Sequence, residues 1–189
     1  MIFNDLSKDE RLELYQQAHD TLGLSKIIIE KDWWVTTISR ALFSLPYAVH
    51  LSFEVQAVIP ERTFIEKICL LHEEFAKPQD LMRTERMTRH LYDLAQMMDT
   101  PVAERALSNK DLYNSVVEHR RIFIGLKGFD YSTLATSTMN IIPPENIIDL
   151  WKTDYEIMQN TMIYGSSLPF NKLINRMKQL NERINHIYW

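Results

Sequence analysis

Pro60-Glu61-Arg62-Thr63-Phe64-Ile65-Glu66-Lys67-Ile68-Cys69-Leu70-Leu71-His72-Glu73-Glu74-Phe75 is the stretch on which the fold class turns. Phe64, Ile68, Leu71 and Phe75 recur at intervals of four, three and four residues, so they share one face of an amphipathic helix. Pro60 suits a first helical turn, whose backbone N–H has no intrahelical partner to lose. Lys77-Pro78-Gln79-Asp80 ends the run.

Upstream, Ser7-Lys8-Asp9-Glu10 reads as a capping box that opens a helix ending near Gly23. Ser25 to Leu45 repeats the pattern with Ile27, Ile28, Trp34, Ile38, Ala41 and Leu42, and Pro46 stops it. The period then changes. Val49, Leu51, Phe53 and Val55 alternate with Ala48, His50, Ser52 and Glu54, which predicts a strand within residues 47–59. A lone strand leaves its edges unpaired, so it is expected to pair either with Ser137 to Ile142 or with another chain.

Downstream, Met87, Leu91, Leu94, Ala95 and Met98 predict a helix ended by Asp99 to Pro101. Ser108 or Asn109 caps the next, through Leu112, Val116, Phe123 and Leu126, with Gly125 to Gly128 as its stop. Tyr131 to Ile142 reads as a loop. Pro143-Pro144-Glu145 opens a helix to about Tyr164, and Leu168-Pro169 opens the last. There Phe170, Leu173, Met177, Leu180, Ile184 and Ile187 form a coiled-coil-like stripe. Its expected partner is Ile147, Leu150, Asp154, Ile157 and Thr161 in an αα-hairpin turning at Gly165, with pairing between two copies as the alternative. The expected fold is mainly α, a bundle of about seven helices with a small β element. Residues 1–59 carry the N-terminal helices and the strand, residues 60–189 the remaining helices, in one compact unit.

Composition excludes several function classes. Of 189 residues, 46% belong to the AVILMFWYC set and 24% are charged, as in packed globular chains. A net charge of -4 offers no global basic field for sequence-independent nucleic-acid binding. Met1 to Arg11 has no apolar core of a signal peptide, Cys69 is a single cysteine, and Ala41 to Phe53 is too short to span a membrane, so a cytoplasmic protein is expected. Four glycines cannot write the Gly-rich phosphate loops of Rossmann, P-loop or kinase sites.

Few residues announce chemistry alone. Cys69 and His72 stand three apart on one helix, the spacing of a nucleophile and base, but a buried structural pair is the better reading. His72-Glu73-Glu74-Phe75-Ala76 begins like a zinc-protease helix and has alanine at the second ligand position, so no metal site is assigned. Gly125-Leu126-Lys127-Gly128 reads as a helix stop and turn. His119, Arg120 and Arg121, with Lys127, form a basic patch able to touch phosphate or RNA, against a default of a solvated face. Lys67 lies about 100° from the centre of its apolar stripe. Asp93 is placed to pair with Arg89 one turn earlier.

Taken in order, Ile29-Glu30-Lys31-Asp32-Trp33-Trp34-Val35, then Val58-Ile59-Pro60-Glu61-Arg62-Thr63-Phe64-Ile65-Glu66-Lys67, then Arg89-His90-Leu91-Tyr92-Asp93-Leu94 carry a resemblance. The set resembles the nucleotidyltransferase AbiEii/AbiGii toxin family, associated with phage abortive infection and type IV toxin–antitoxin pairs. The resemblance implies four motifs: a Gly-Gly-Thr/Ser turn followed by lysine, a D-x-D pair, a helical lysine and a helical aspartate. By match, Lys67 takes the third role and Asp93 the fourth, as catalytic residues. The first two have no counterpart. Relatives place them between the E-K-D-W-W-V and P-E-R-T-F helices, where Ser44-Leu45-Pro46-Tyr47 here runs almost directly to Glu54-Val55-Gln56.

The D-x-D pair is what holds metal in such transfer, so the resemblance implies a remnant of an α+β nucleotidyltransferase fold with impaired catalysis. A nucleoside triphosphate and Mg²⁺ are the implied cofactors if activity persists. The implied partners are an antitoxin protein and, if the chain is active, RNA; the unpaired strand and the stripe of residues 170–187 add a second copy of the chain as a candidate partner, and the composition calls for no membrane. Two alternatives stand beside this reading, a non-enzymatic helical interaction module and a relic without selected function.

Overall fold

In the computed structural model, which describes residues 6–45 and 58–189, the chain forms eight α-helices joined by turns and short 3₁₀ segments. No strand occurs among the described residues. The expected strand at 47–59 lies outside them, apart from Val58 and Ile59, which lead into a helix. The chain divides into two compact units, one of residues 1–56 with 157–167, the other of residues 57–156 with 168–189.

In the first unit, α1 (Lys8–Leu22) and α2 (Lys26–Phe43) start where their caps dictate. The Ser7 N–H donates to Glu10 Oε2 at 2.8 Å while the Glu10 N–H donates to Ser7 Oγ at 3.3 Å, the reciprocal box read from the sequence. Gly23, at φ 67°, closes α1 in the left-handed conformation that glycine adopts without steric cost. Ser25 caps α2 through the Ile28 N–H and donates its hydroxyl to the Thr161 carbonyl at 3.2 Å. Tyr15 is the one buried residue of the two helices, and Ile27, Trp34, Val35, Ile38 and Phe43 of α2 stay exposed.

The second unit is built around α3 (Pro60–Phe75), which follows the predicted bounds. More than its expected face is covered: Phe64, Ile65, Ile68, Cys69 and Leu71 are fully buried. Helices α4 (Thr88–Met97), α5 (Pro101–Ser108) and α6 (Lys110–His119) all pack on it. The sequence reading missed α5. Asp99 to Pro101, read there as a stop, is also a start: the Thr100 hydroxyl accepts from the Val102 N–H, Pro101 fills the first turn, and Ala103, Ala106 and Leu107 are buried. Asn109 is the residue that caps α6, through the Leu112 N–H at 2.9 Å.

Beyond α6 the helix widens into a π turn, Arg120–Ile124, closed by the Gly125 N–H on the Arg120 carbonyl at 3.1 Å. A π turn inserts a residue and shifts the phase of every position after it. Phe123, expected on the core face, is therefore 72% exposed.

The stripe of α8 (Phe170–Asn185) is buried as predicted at Phe170, Leu173, Met177, Leu180 and Ile184, but its partner is not the one expected. It lies on α4 and on the turn Thr136–Thr138. Because the stripe is covered within one chain, it is not available for pairing between copies. In α7 (Ile148–Thr161) and the turn before it, the buried face is Ile147, Trp151 and Tyr155, whereas Leu150 is 57% exposed. Trp151 packs on Phe75, ring centroids 5.0 Å apart.

Asp154, expected inside the stripe, does something else. Its Oδ1 accepts from the Arg86 N–H at 2.6 Å, and its Oδ2 from the Thr88 N–H at 3.0 Å and the Thr88 hydroxyl at 2.5 Å. It is the N-terminal cap of α4, supplied from a distant part of the chain. Arg86 takes φ 58°, uncommon for a residue with a Cβ, to present its N–H.

The segment 131–142 is the expected loop, with Ser132, Ala135, Ser137, Thr138 and Asn140 exposed, and its part expected as a strand partner, 137–142, does not extend into a ladder. It forms two 3₁₀ turns, Tyr131–Leu134 and Thr136–Thr138, with Leu134, Met139 and Ile141 buried. Side chains satisfy its backbone: the Tyr113 hydroxyl donates to the Leu134 carbonyl at 2.9 Å, and Asn181 Oδ1 accepts from the Ile141 N–H at 2.9 Å.

Asp154→Ala removes the cap and leaves two backbone donors without it; urea denaturation is expected to show a loss of about 1–2 kcal/mol. Leu150→Ala, on the exposed side of the same helix, is expected to stay within about 0.5 kcal/mol of wild type.

Candidate functional site

Lys67 leaves α3 at the margin of its buried face, next to the fully buried Ile68. His90 and Asp93 leave α4, whose Leu91 and Leu94 pack it against the core. The packing of the two helices brings the three side chains together. Lys67 Nζ lies 2.7 Å from Asp93 Oδ2, with the lysine side chain 19% exposed and the aspartate 40%. The expected i,i+4 pairing of Asp93 with Arg89 is replaced by this contact between helices. His90 Nδ1 lies 3.5 Å from Lys67 Nζ.

His90 is buried, and burial pushes its imidazole down to about 4, reinforced by the Lys67, Arg89 and Arg83 cations against the opposing pull of Asp93. The ring is therefore neutral near pH 7. Facing an ammonium group, which only donates, Nδ1 is the acceptor and the proton sits on Nε2.

Lys67 and His90 line a cavity of about 490 Å³ together with Val58, Arg62, Thr63, Glu66, Leu70, His119 and Arg120. Arg120 enters this wall from the π turn and is buried. Its Nε and Nη2 donate to the two carboxylate oxygens of Glu73 at 2.7 and 2.5 Å, and its Nη1 donates to Glu66 Oε2 at 2.7 Å. Burial works against its charge, yet the hydrogen bonds and charge of Glu73 and then Glu66 prevail and hold the guanidinium above its usual range.

The basic patch read from the sequence is accordingly not one surface. Arg120 is enclosed by carboxylates, exposed Arg121 is tied to Glu118 at 2.6 and 2.8 Å, and His119 stacks on Phe123 with centroids 4.7 Å apart. Helical periodicity alone could not separate these neighbours, because a buried arginine and an exposed one differ only in what faces them. Of the three, His119 and Arg120 reach the cavity that contains Lys67.

The other candidates are structural. Cys69 is fully buried and its thiol is pushed up to about 12, chiefly by burial, so it is protonated and unreactive. His72 does not meet it: Nδ1 accepts from the Asn140 N–H at 2.9 Å, and the proton is left on Nε2, 3.1 Å from the Thr133 hydroxyl oxygen. Glu74 is buried with the Arg83 N–H at 2.6 Å, Arg83 Nη2 at 2.7 Å and Lys77 Nζ at 2.8 Å. Burial raises the cost of its charge, but these contacts win and keep its carboxyl below the ordinary range. The Gly125–Gly128 turn, with both glycines at positive φ, ends the helix and borders a second cavity of about 540 Å³ with Lys127, Phe129 and Asp130.

A family model described as nucleotidyl transferase AbiEii toxin, type IV toxin–antitoxin system, matches residues 28–176. The chain belongs to this family. No curated protein and no solved structure matches it. The match spans both units and includes Lys67, His90, Asp93 and Arg120.

The family implies a magnesium ion, and the described residues do not fit one. No group of three or more His, Cys, Asp or Glu side chains placed to hold a metal occurs among them. The carboxylates around the cavity are already spent on cations, Asp93 on Lys67, Glu66 on Arg62 and Arg120, and Glu73 on Arg120. No helix among the described residues is long and apolar enough to cross a membrane. Sequence reasoning left His90, Glu66 and Glu73 out of the site. His90 and Glu66 were legible as members of the Arg89-to-Leu94 and Val58-to-Lys67 strings, and Glu73 only as part of the His72-to-Ala76 string that was set aside as a metal site.

Two outcomes are expected in solution. Glu73→Gln leaves the Arg120 charge buried with half its fork unmet and is expected to cost about 3–5 kcal/mol in chemical denaturation, much of it recovered in the double variant with Arg120→Met. The depressed His90, with His72 lowered in the same direction by burial, adds stability that is complete above the ordinary histidine value of 6.5 and is lost as pH falls toward about 4. Denaturation midpoints should therefore fall between pH 7 and pH 5, and His90→Gln should flatten that slope.

Proposed function

We propose that this chain is a nucleotidyltransferase-like toxin of a type IV toxin–antitoxin system whose remaining site binds a phosphate group and whose transfer activity is impaired. The observation that carries the reading is the Lys67–Asp93 pair. Two residues matched to the family's third and fourth motifs, on different helices, meet at 2.7 Å beside a cavity of about 490 Å³.

Nucleotidyl transfer breaks the bond between the α-phosphorus and its bridging oxygen, forms one to an acceptor hydroxyl and releases pyrophosphate. In that chemistry Lys67 neutralises phosphate charge and Asp93 orients the acceptor hydroxyl. Both depend on charge neutralisation at the triphosphate, which the family assigns to the D-x-D pair, and the sequence has no match to that motif. Lys67 then supports binding of an anion without fast transfer, with Asp93 holding its ammonium group. The family supports an antitoxin as partner, the acceptor class is RNA or protein, and the place of action is the cytoplasm.

The second reading, a protein-interaction module, is favoured by one observation: α2 exposes Ile27, Trp34, Val35, Ile38 and Phe43 along a helix without a buried residue. Toxicity on induction separates the two readings. Loss of toxicity in Asp93→Ala supports the site; toxicity that survives it supports sequestration of a partner.

Nucleoside triphosphate is expected to raise the melting temperature of the wild type, and Lys67→Ala to abolish the shift. Labelled triphosphate, magnesium and total RNA are expected to give no transfer. Transfer that Lys67→Ala abolishes would overturn the impairment, and absence of any thermal shift would overturn the site.

A further inference from the structure

An ammonium group has three donors in a tetrahedral array and, on a flexible four-carbon stem, no preferred direction of its own. At Lys67 one donor is committed to Asp93 Oδ2 at 2.7 Å. That contact alone is a weak anchor, because Asp93 is 40% exposed and an ion pair open to water is screened. The second acceptor within reach is the imidazole of His90 at 3.5 Å, on the same helix as Asp93 and one turn before it. His90 is buried, so its ring is held by packing where the carboxylate is not.

The ring can accept only while it is uncharged. The groups that face it are Lys67 from α3, Arg89 and Asp93 from its own helix, and Arg83 from the segment before it. Three cations against one carboxylate, with burial, keep it neutral at any pH at which the protein is folded near neutrality. A neutral acceptor beside a cation is thus maintained by the surroundings rather than by the ring itself.

We infer that His90 is the positioning residue of this site: its Nδ1 accepts from Lys67 and, with Asp93, aims the remaining N–H of the ammonium at a phosphate group in the cavity. The inference rests on the phosphate-binding reading given above and assigns a residue that the family's four motifs do not include. In this role His90 acts through Lys67.

The test uses inorganic tripolyphosphate, without metal, in calorimetric titration of the full chain at pH 7.5, alongside nuclear magnetic resonance of the Lys67 ammonium group. His90→Phe keeps the ring volume and removes the acceptor; it is expected to weaken binding roughly two- to tenfold and to lower the order parameter of the Lys67 ammonium. His90→Gln restores an acceptor and is expected to return both readouts toward wild type. A merely structural role for His90 would change stability and leave the ammonium order unchanged. His90→Leu replaces His90→Phe if the latter does not fold. Wild-type binding that His90→Phe leaves intact, with the same ammonium order, overturns the inference and spares the phosphate site. No binding by the wild type overturns the phosphate site and the aim assigned to the third N–H. In that case an ammonium equally ordered in His90→Phe overturns the positioning as well.

Discussion

Helix α3 takes charge into the interior, and a buried charge must find a partner or the fold does not form. Glu73 and Glu74 sit side by side on it, both nearly inaccessible, with Glu66 two turns before them at the cavity. The two buried ones draw their cations from elsewhere, Arg120 from the π turn for Glu73 and Arg83 and Lys77 from the segment after α3 for Glu74, while Glu66 shares Arg120 and also pairs with Arg62 of α3 itself. Lys67, between them on the helix, takes its anion from α4. The apolar face of α3 supplies the hydrophobic burial, but these pairings select which neighbours may lie against it and in what register.

Two kinds of ion pair result, with different physical weight. The Arg120 fork is enclosed, bidentate and shared between two carboxylates, so it behaves as part of the scaffold. The Lys67–Asp93 pair is half open to water and worth little as a structural strut. Lys67, 19% exposed, keeps its ammonium at the cavity wall while it is paired with Asp93. The Arg120 network and the Lys67–Asp93 pair thus border the same cavity, one enclosed and the other in contact with water.

Local signals are legible where the interaction that matters is local. The Ser7–Glu10 box, the Gly23 and Gly125 stops, Pro60 at the first turn of α3 and the buried stripe of α8 are all contacts within four or five residues, and they appear where the spacing places them. Partners are not legible in the same way. Adjacency in sequence pairs the α8 stripe with α7, yet the stripe lies on α4; spacing counts Asp154 as part of an apolar face, and it instead caps α4. A regular helical phase carried through the π turn puts Phe123 in the core, where it is not. The site is half legible: Lys67 and Asp93 come from the motif resemblance, but their contact, and the presence of His90 between α3 and α4, are properties of packing.

Periodicity, capping residues and the order of motifs specify the helical elements, the membership of the family and the two residues of the candidate site that match its motifs, since each of these is written in spacings along one strand of chain. Which charges become buried and which stay wet is decided by the way α3, α4, α6 and α8 close on one another. Arg120 and Arg121 are chemically alike and adjacent, and one is a strut inside the protein while its neighbour is a surface residue. Burial depends on the sum of all neighbours in space, so a one-dimensional pattern assigns a residue its chemistry and the assembled fold assigns it a role.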